Sequence, residues 1–192
     1  MSSDPNAQPA SVPAAEALQV FALVIYIPAP LGRFLDRLRR ELAPQDDPQA
    51  HISLLPPRPI SGDWRRAWTE VRETLRARAA FDVELTRIQT FPATDVVYLE
   101  VGSGSAELRA IHAAMNANSL AFREPFAYHP HVTLAQDILH QDVDRVLTLA
   151  KRRWDEFRGK RSFRAQRAVF VRNSVGDRWL DLAEYRLGSR PR

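Results

Sequence analysis

Two stretches of the chain, 80 positions apart, each place a histidine two residues before a hydroxyl residue. The first reads HIS at 51–53, and the second reads HVT at 131–133. In both, the middle residue is β-branched and apolar and more apolar residues follow, which predicts a strand. Side chains two positions apart on a strand share one face and lie roughly 6.5–7 Å apart. Each stretch therefore presents an imidazole beside a hydroxyl group.

These side chains suit phosphate chemistry if the fold brings the two stretches together. His51 and His131 would supply two imidazoles, which exist both with and without a proton near neutral pH. Ser53 and Thr133 would supply two hydroxyl donors for the oxygens of a small anion. The alternative interpretation makes both histidines structural residues with their hydrogen bonds satisfied inside the fold.

The elements around the first stretch are predicted in the order strand, helix, histidine strand, helix, strand. Apolar and β-branched residues at 20–27 predict a strand buried on both faces. The prolines within 56–59 lack amide donors, so we expect a rigid loop after the strand at 51–55. Ser61 or Asp63 can cap the next helix. This capped helix has an apolar stripe with Trp64 and Trp68, which we expect to pack on a sheet. The other elements are a helix at 31–42 and a strand at 81–91.

The same order recurs in the second half of the chain. Its predicted elements are a strand at 96–101, a helix at 103–122, the strand that begins at His131, a helix at 142–157 and a strand at 163–171. A turn at 173–177 and a strand at 178–187 complete a final hairpin. Residues 20–91 and 96–171 therefore form an internal duplication.

Two similar halves often pack about a pseudo-two-fold axis, which would place the two histidine strands across a shared cleft. We therefore predict an α+β fold with duplicated strand-helix-strand lobes about such an axis and a central cleft. The fold is predicted to occupy residues 19–189 as one domain. Residues 1–18 contain almost no large apolar side chain, and we predict that they form a disordered tail.

Arginine dominates the basic side of this 192-residue chain, which has a net charge of +4. The sequence pI is about 9.9, and only Lys151 and Lys160 are lysines. Arginine binds phosphate through two parallel hydrogen bonds, which favours a nucleotide or RNA as partner. The alternative is that most of the arginines lie on solvated helix faces.

Cysteine is absent, which excludes disulfides, thiolate metal sites and a thiol nucleophile. The apolar run at 20–27 is much shorter than the ~20 residues of a membrane helix. A secretory signal has Lys or Arg before its apolar run, and neither residue precedes this run. We therefore expect a cytoplasmic protein without a membrane partner, and a monomer.

The paired motifs HISLL at 51–55 and HVTLA at 131–135, inside a duplicated strand-helix framework, resemble the two-histidine (2H) phosphoesterase superfamily. Within it they resemble the 2′-5′ RNA ligase and RNA 2′,3′-cyclic phosphodiesterase-like proteins. The resemblance covers residues 19–187. It implies a two-lobed α+β fold with a central cleft and neither a metal nor another cofactor. The implied site residues are His51 and His131 as catalytic groups and Ser53 and Thr133 as phosphate-binding groups.

The resemblance implies a metal-independent phosphodiesterase that acts on 2′,3′-cyclic phosphate or 2′-5′ phosphodiester ends of RNA or nucleotides. One imidazole would take a proton from the attacking water, and the other would protonate the departing ribose oxygen. Ligation of 2′-5′ ends would be the reverse reaction. Which histidine acts as acid stays open. The alternative is a non-catalytic nucleotide- or RNA-binding protein that uses the same cleft.

Four further residues are candidates for substrate binding. Arg58 lies just past the first motif, and Arg172 lies near the last hairpin. Each of the two either contacts phosphate or lies on the solvated surface. Tyr128 precedes the second motif and either stacks on a base or packs in the core. Gln136 stands where many proteins resembling the RNA ligases carry Arg, which makes this position a candidate for substrate choice.

The remaining three histidines have other interpretations. His129 and His131 form an i, i+2 pair that two metal ligands could also form, but no carboxylate or cysteine cluster accompanies them in the sequence. His112 and His140 lie on or beside predicted helices, and we expect both at the surface.

Overall fold

The computed structural model describes residues 19–44, 49–91, 93–174 and 178–188. Within these residues the strands are β1 (Val20–Tyr26), β2 (His51–Pro59), β3 (Phe81–Phe91), β4 (Val96–Val101), β5 (His131–Ala135), β6 (Ser162–Ala165), β7 (Arg167–Ser174) and β8 (Arg178–Arg186). The helices are α1 (Leu31–Leu42), α2 (Trp64–Arg76), α3 (Ser105–Met115) and α4 (Val143–Glu156). Short 3₁₀ turns occur at Asn118–Leu120 and His140–Asp142. The predicted α+β class is confirmed.

Three parts of the sequence-based prediction lie outside the described residues. They are the tail at 1–18, the middle of the turn at 175–177 and the last residue of the predicted domain at 189. In the part of the chain that the structure does describe, no helix is long and apolar enough to cross a membrane.

Two four-stranded antiparallel sheets form the fold, with the strand orders β2-β1-β7-β8 and β5-β4-β3-β6. Each histidine motif begins an edge strand, β2 in the first sheet and β5 in the second, and these two edge strands contact each other. The matching orders agree with the predicted duplication. The third strand is exchanged between the halves, because β3 pairs with β4 and β7 pairs with β1. Each sheet therefore contains strands from both halves of the sequence.

The main hydrophobic core lies on one face of each sheet, where the apolar residues of the motif strands are fully buried. Ile52 and Leu54 of β2 point to this face, as do Val132 and Leu134 of β5. Helix α1 packs on β5 and helix α3 packs on β2, so each helix supports the motif strand of the opposite half. Burial of each such aliphatic side chain contributes roughly 1.5–3 kcal/mol before conformational entropy is subtracted.

Helix α2 confirms two expectations from the sequence. The Asp63 carboxylate accepts a hydrogen bond from the Arg65 amide at 3.1 Å, so Asp63 is the capping residue. The ring of Trp68 stacks on Phe170 of β7, with the ring centroids 6.0 Å apart. This contact is the helix-to-sheet packing that the tryptophan stripe predicts.

The structure corrects the loop predicted at 56–59, because these prolines lie within strand β2. The strand is at the edge of its sheet, where amides on the outer side need no ladder partner, so proline is tolerated. The pairing with β1 is irregular at this point: Arg58 lies opposite Phe21, whereas Leu55 lies opposite Leu23. The irregularity accommodates the two prolines between the paired positions.

Two other element boundaries differ from the sequence-based prediction. The helix predicted at 103–122 ends at Met115, and the side chain of Asn116 accepts a hydrogen bond from the Phe122 amide at 2.9 Å, which competes with the helical pattern. The strand predicted at 163–171 is two strands, β6 and β7, separated at Gln166 and belonging to different sheets. A continuous apolar pattern carries no signal for such a change of partner.

Candidate active site

The two motifs have the same burial pattern in the structure. His51 and Ser53 are half-buried on β2, and His131 and Thr133 are half-buried on β5. The apolar residues between and after them are buried in the core. All four predicted site residues therefore lie on the sheet faces opposite the main core, on two edge strands that contact each other.

Each imidazole makes the same hydrogen bond to the segment just before its own strand. His51 Nδ1 lies 2.9 Å from the Gln49 carbonyl oxygen, and His131 Nδ1 lies 2.7 Å from the His129 carbonyl oxygen. A carbonyl oxygen can only accept, so Nδ1 carries the proton in both rings. In the neutral form this leaves Nε2 as the nitrogen that gains and loses a proton.

The segment before each motif is held by a helix of the same half. In the first half, the Asp36 carboxylate of α1 accepts a hydrogen bond from the Ala50 amide at 2.7 Å. In the second half, the Arg109 guanidinium of α3 donates to the Tyr128 carbonyl oxygen at 2.6 Å. These bonds fix the backbone that supplies the carbonyl acceptor for each imidazole.

Aromatic rings surround His131. Phe91 and Tyr98 stack on each other at 3.9 Å between centroids, and both present themselves edge to face to His131 at 5.0 and 5.5 Å. Burial is the main cause that lowers the pKa of His131 below its usual value, and the nearby His129 ring lowers it further, while the hydrogen bond to the His129 carbonyl opposes the shift. The neutral form of His131 is therefore favoured near neutral pH.

A polar network lies beside His131 on the same sheet face. Glu100 is directly opposite His131 in the pairing of β4 and β5. One of its carboxylate oxygens accepts from Arg87 Nε at 2.7 Å and from Gln89 Nε2 at 2.6 Å. The other oxygen lies 4.0 Å from His129 Nε2. Sequence reasoning missed these residues, although the alternation of polar and apolar residues along β3 and β4 was a signal for them.

The surroundings of His51 are different. Tyr26, opposite His51 in the pairing of β1 and β2, presents its ring edge to face at 6.5 Å, and its hydroxyl donates to Asp181 at 2.7 Å. Beside it, the same face of the first sheet carries a small apolar cluster. The cluster contains Ala22, Val24, Val169 and Val171, with Tyr26 and Trp179 packed against it. One motif therefore lies on a mainly apolar sheet face and the other on a polar one.

The structure does not place Arg58 beside the motif hydroxyls or on the solvated surface. Its side chain is only 1% exposed and forms an ion pair with Glu124. It also donates to Asn116 Oδ1 at 2.9 Å and to the Leu120 carbonyl at 3.2 Å. Both sequence-based interpretations of Arg58 are corrected, because the guanidinium is used to bind the 116–124 segment to β2.

The other two polar candidates occupy different places. Arg172 lies opposite Phe21 in the pairing of β1 and β7, and Phe21 belongs to the main core. Alternation along the strand therefore assigns Arg172 to the sheet face opposite that of His51 and Ser53. Gln136 directly follows β5 and is exposed. Of these two, only Gln136 adjoins a motif.

Tyr128 stacks on an imidazole instead of standing free for a base. Its ring is parallel to that of His112, with centroids 3.8 Å apart and an interplanar angle of 8°. Its hydroxyl donates to the Ser53 carbonyl oxygen at 2.8 Å. The surface position expected for His112 is wrong, because its ring is buried and its Nδ1 donates to the Leu54 carbonyl at 3.0 Å. His140 is exposed as expected and pairs with Asp95.

The metal interpretation of the His129 and His131 pair gains no support from the surrounding side chains. Within the described ranges, no three His, Cys, Asp or Glu residues are grouped so that they could hold a metal ion. The two ring centroids lie 6.4 Å apart, and both rings contact the same aromatic pair, Phe91 and Tyr98, edge to face.

Comparison with known proteins places these features in a family. A model of the 2′-5′ RNA ligase superfamily matches residues 27–177. Two proteins named "Putative phosphoesterase" are similar in sequence. The one from Oceanobacillus iheyensis is 24% identical over 79 residues, 41% of this chain and 46% of that protein. The one from Geobacillus sp. is 26% identical over 98 residues, 46% of this chain and 56% of that protein. The chain spans about half the length of these curated relatives.

Solved structures share the fold over nearly the full chain. LigT of E. coli complexed with 3′-AMP has a TM-score of 0.61 at 14% identity, covering 90% of this chain and 99% of that one. TT0787 of Thermus thermophilus has a TM-score of 0.59 at 13% identity, covering 88% and 97%. Usb1 of Kluyveromyces marxianus has a TM-score of 0.54 at 14% identity, covering 85% and 97%. The family model includes both histidine motifs, and the chain belongs to the 2′-5′ RNA ligase superfamily of two-histidine phosphoesterases.

Proposed function

We propose that this protein is a metal-independent phosphodiesterase that opens 2′,3′-cyclic phosphates, or cleaves 2′-5′ phosphodiesters, at the ends of RNA or on nucleotides. The observation that carries the proposal is the equivalence of the two motifs. His51 and His131 begin contacting edge strands and make the same Nδ1 hydrogen bond, and each has a hydroxyl residue two positions along. Two such groups supply the acid and the base that the reaction requires.

The proposed reaction displaces one ribose oxygen from phosphorus. A water molecule loses a proton to one imidazole as its oxygen attacks the phosphorus atom. The bond from phosphorus to the departing ribose oxygen breaks, and that oxygen takes a proton from the other imidazole. Ser53 and Thr133 donate hydrogen bonds to the non-bridging oxygens of the phosphate and stabilise the charge there. Ligation of 2′-5′ ends would use the same two imidazoles with a 5′-hydroxyl in place of water: its oxygen attacks the phosphorus of a 2′,3′-cyclic phosphate as one imidazole takes its proton, the bond from phosphorus to the 3′ oxygen breaks, and that oxygen takes a proton from the other imidazole.

We assign the base to His131 and the acid to His51 for the hydrolytic direction. Burial among Phe91 and Tyr98 lowers the pKa of His131, so this imidazole is neutral and can accept a proton near neutral pH. The proton donor to the departing oxygen is then His51, which lies on the other strand with the Tyr26 ring edge to face against it. After one turnover the two protonation states are exchanged, and solvent restores them.

Nucleotides are the substrate class that the relatives support. Structures of the related LigT are complexed with 3′-AMP, with ATP, with NADP+ and with phosphate. In this chain Gln136, directly after the second motif, is the exposed residue that we propose contacts the substrate beyond the phosphate. Arg58 and Arg172 are not included in this proposal because of their positions in the fold.

The second candidate function is nucleotide or RNA binding in the same place without turnover. The excess of arginine, in a chain with a net charge of +4, is the observation that favours it, because attraction for a polyanion requires no proton transfer. The two equivalent histidine motifs supply the acid and the base that turnover requires, so we place catalysis first.

A substrate panel with product analysis tests the proposal. The protein is incubated with the four nucleoside 2′,3′-cyclic monophosphates, a cyclic-phosphate-ended oligonucleotide and a 2′-5′-linked dinucleotide, each with and without EDTA. We expect turnover of at least one of them that EDTA leaves unchanged, with a single product isomer. Binding without turnover would favour the second function, and loss of activity in EDTA would contradict the metal-independent reaction.

A further inference from the structure

The Tyr128 side chain connects the two motifs. Tyr128 lies three residues before His131, in the segment that leads into the second motif. Its hydroxyl reaches the first motif, where it donates to the Ser53 carbonyl oxygen at 2.8 Å. Its own carbonyl oxygen is held by Arg109 at 2.6 Å. Tyr128 is therefore fixed at both its backbone and its side-chain end.

The strand that receives this bond needs support from outside its sheet. Strand β2 is an edge strand, and its pairing with β1 is irregular, since Ser53 lies opposite Val24 and Leu55 opposite Leu23. Leu54 is the extra residue between these two pairs. An edge strand with an irregular pairing leaves backbone carbonyls without ladder partners. Side chains from the second half fill two of these positions, Tyr128 at Ser53 and His112 at Leu54.

The two donors also support each other. The rings of Tyr128 and His112 stack in parallel at 3.8 Å, so neither side chain can turn away without losing the other contact. Burial raises the pKa of Tyr128 well above its usual value, so its hydroxyl keeps its proton and remains a donor over the working pH range. The pair acts as a rigid connection between α3, the second motif and β2.

We propose that Tyr128 is a positioning residue that sets the relative placement of the two catalytic histidines through its hydrogen bond to the Ser53 backbone. The role rests on the proposed function, in which both imidazoles act on one phosphate. It differs from base stacking, one of the two roles that the sequence left open beside core packing, because the ring face and the hydroxyl are both used inside the protein.

The variant Tyr128→Phe tests this role, because it removes the hydroxyl and keeps the ring that stacks on His112. Tyr185→Phe is the matched control: Tyr185 lies on β8 and packs against the main core away from both motifs. Small misplacements of catalytic groups cost up to about 10²-fold in rate. We expect kcat of Tyr128→Phe to fall at least about tenfold with KM nearly unchanged, and kcat of Tyr185→Phe to stay at the wild-type value.

Imidazole NMR signals provide a second readout that does not require turnover. The signals of His51 and His131 are assigned with the His51→Ala and His131→Ala variants and compared between the wild type and both tyrosine variants. We expect both signals to move in Tyr128→Phe and neither to move in Tyr185→Phe. This readout decides the inference even if the wild type turns over no substrate, an outcome that would by itself contradict only the proposed function.

Two results would overturn the positioning role. One is a Tyr128→Phe enzyme with wild-type kcat, or with a loss that Tyr185→Phe reproduces. The other is an unchanged pair of imidazole signals in Tyr128→Phe. In either case the bond to Ser53 would hold the fold together without placing the catalytic groups.

Discussion

His51 and His131 have equivalent backbones and different surroundings. Both rings donate through Nδ1 to the carbonyl two residues earlier, which a repeated motif explains. Of the two, His131 packs edge to face against the stacked rings of Phe91 and Tyr98. Equal local sequences therefore give the two imidazoles the same backbone hydrogen bond, and we propose that their unequal neighbours give them different tasks. Such a division of acid and base work between two similar groups is a common way to obtain both at one pH.

The pH dependence of the reaction follows from the burial of His131. Burial lowers the pKa of His131, so the base loses its function by protonation only at pH values below its usual value of about 6.5. We expect the acidic limb of the kcat/KM profile of the wild type below this pH. Phe91→Ala opens the ring to water, so its acidic limb should move to higher pH. Two results would contradict the assignment of the base. One is an acidic limb of the wild-type profile with its midpoint at or above the usual pKa of histidine, and the other is a shift of this limb to lower pH in Phe91→Ala.

The hydroxyl residues have a separate prediction. Ser53→Ala and Thr133→Val each remove one donor to the phosphate, and loss of such a donor lowers kcat by about 10²-fold. Ser53→Thr and Thr133→Ser keep the hydroxyl and serve as controls that should retain most of the activity. Steady-state kinetics on the best substrate of the panel measure all four. Full activity of Ser53→Ala or Thr133→Val would remove that residue from the site.

At the residue scale, the sequence predicts the paired motifs and little of what surrounds them. The spacing of a histidine and a hydroxyl residue two positions later fits the two-residue repeat of a strand, so the sequence predicts that both side chains share one face. The second occurrence of the motif distinguishes it from a chance match. The partners of these residues come from distant segments: Glu100 from β4, and Tyr128 and His112 from the loop before β5 and from α3. No local pattern distinguishes a buried histidine such as His112 from an exposed one.

At the scale of elements, the edge strand β2 depends on buried polar contacts. The prolines of β2 have no backbone N–H groups to donate hydrogen bonds. Arg58, near the end of the strand, binds the segment after α3 through Glu124 and Asn116. The ion pair is shielded, with side-chain exposures of 1% and 13%. Sequence reasoning placed Arg58 with the substrate or in solvent because charge alone does not reveal a buried partner 66 positions away.

Removal of Arg58 is predicted to destabilise the protein strongly. Arg58→Ala removes the guanidinium from the shielded Glu124 carboxylate and leaves only the His112 imidazole beside it, with Nε2 at 3.5 Å, and the loss of the buried arginine partner costs about 3–5 kcal/mol. The double variant Arg58→Met with Glu124→Gln removes both charges and should recover much of this loss. Urea unfolding measures the change, with Arg145→Ala at an exposed pair as the control expected within about 0.5 kcal/mol of the wild type. A loss under about 1 kcal/mol in Arg58→Ala would contradict the importance of the buried pair.

Most elements are predictable from the sequence, and their pairing is not. Alternation and helical spacing indicate β1, α1, β3 and β4 at their observed places, because each pattern is local. The division of 163–171 into β6 and β7 and the exchange of β3 and β7 depend on which distant strand each one meets. Local patterns in a single sequence do not specify which distant strands pair with each other.

At the scale of the whole molecule, the exchanged strands make the two halves depend on each other. Strand β3 of the first half completes the second sheet, and β7 of the second half completes the first. Helices α1 and α3 each pack on the motif strand of the other half. The predicted duplication is therefore present in the architecture, but the halves are not independent lobes.

A fragment of residues 19–95 tests this dependence. It contains β1, β2 and β3 but lacks β7, β4 and β6, the other pairing partners of β1 and β3. We expect the fragment to show neither a cooperative unfolding transition nor dispersed amide NMR signals, and we expect both on mixing with residues 96–192. A stable, cooperatively folded fragment on its own would show that the exchange is not required for folding.

The most direct test of the central claim compares the two histidines singly and together. kcat is measured on a nucleoside 2′,3′-cyclic phosphate for His51→Ala, His131→Ala and the double variant, with Tm recorded for each. If the imidazoles act as one acid-base unit, each single variant loses about 10²–10⁴-fold and the double variant loses little more than the worse single one. Wild-type activity in either single variant with an unchanged Tm would contradict the account.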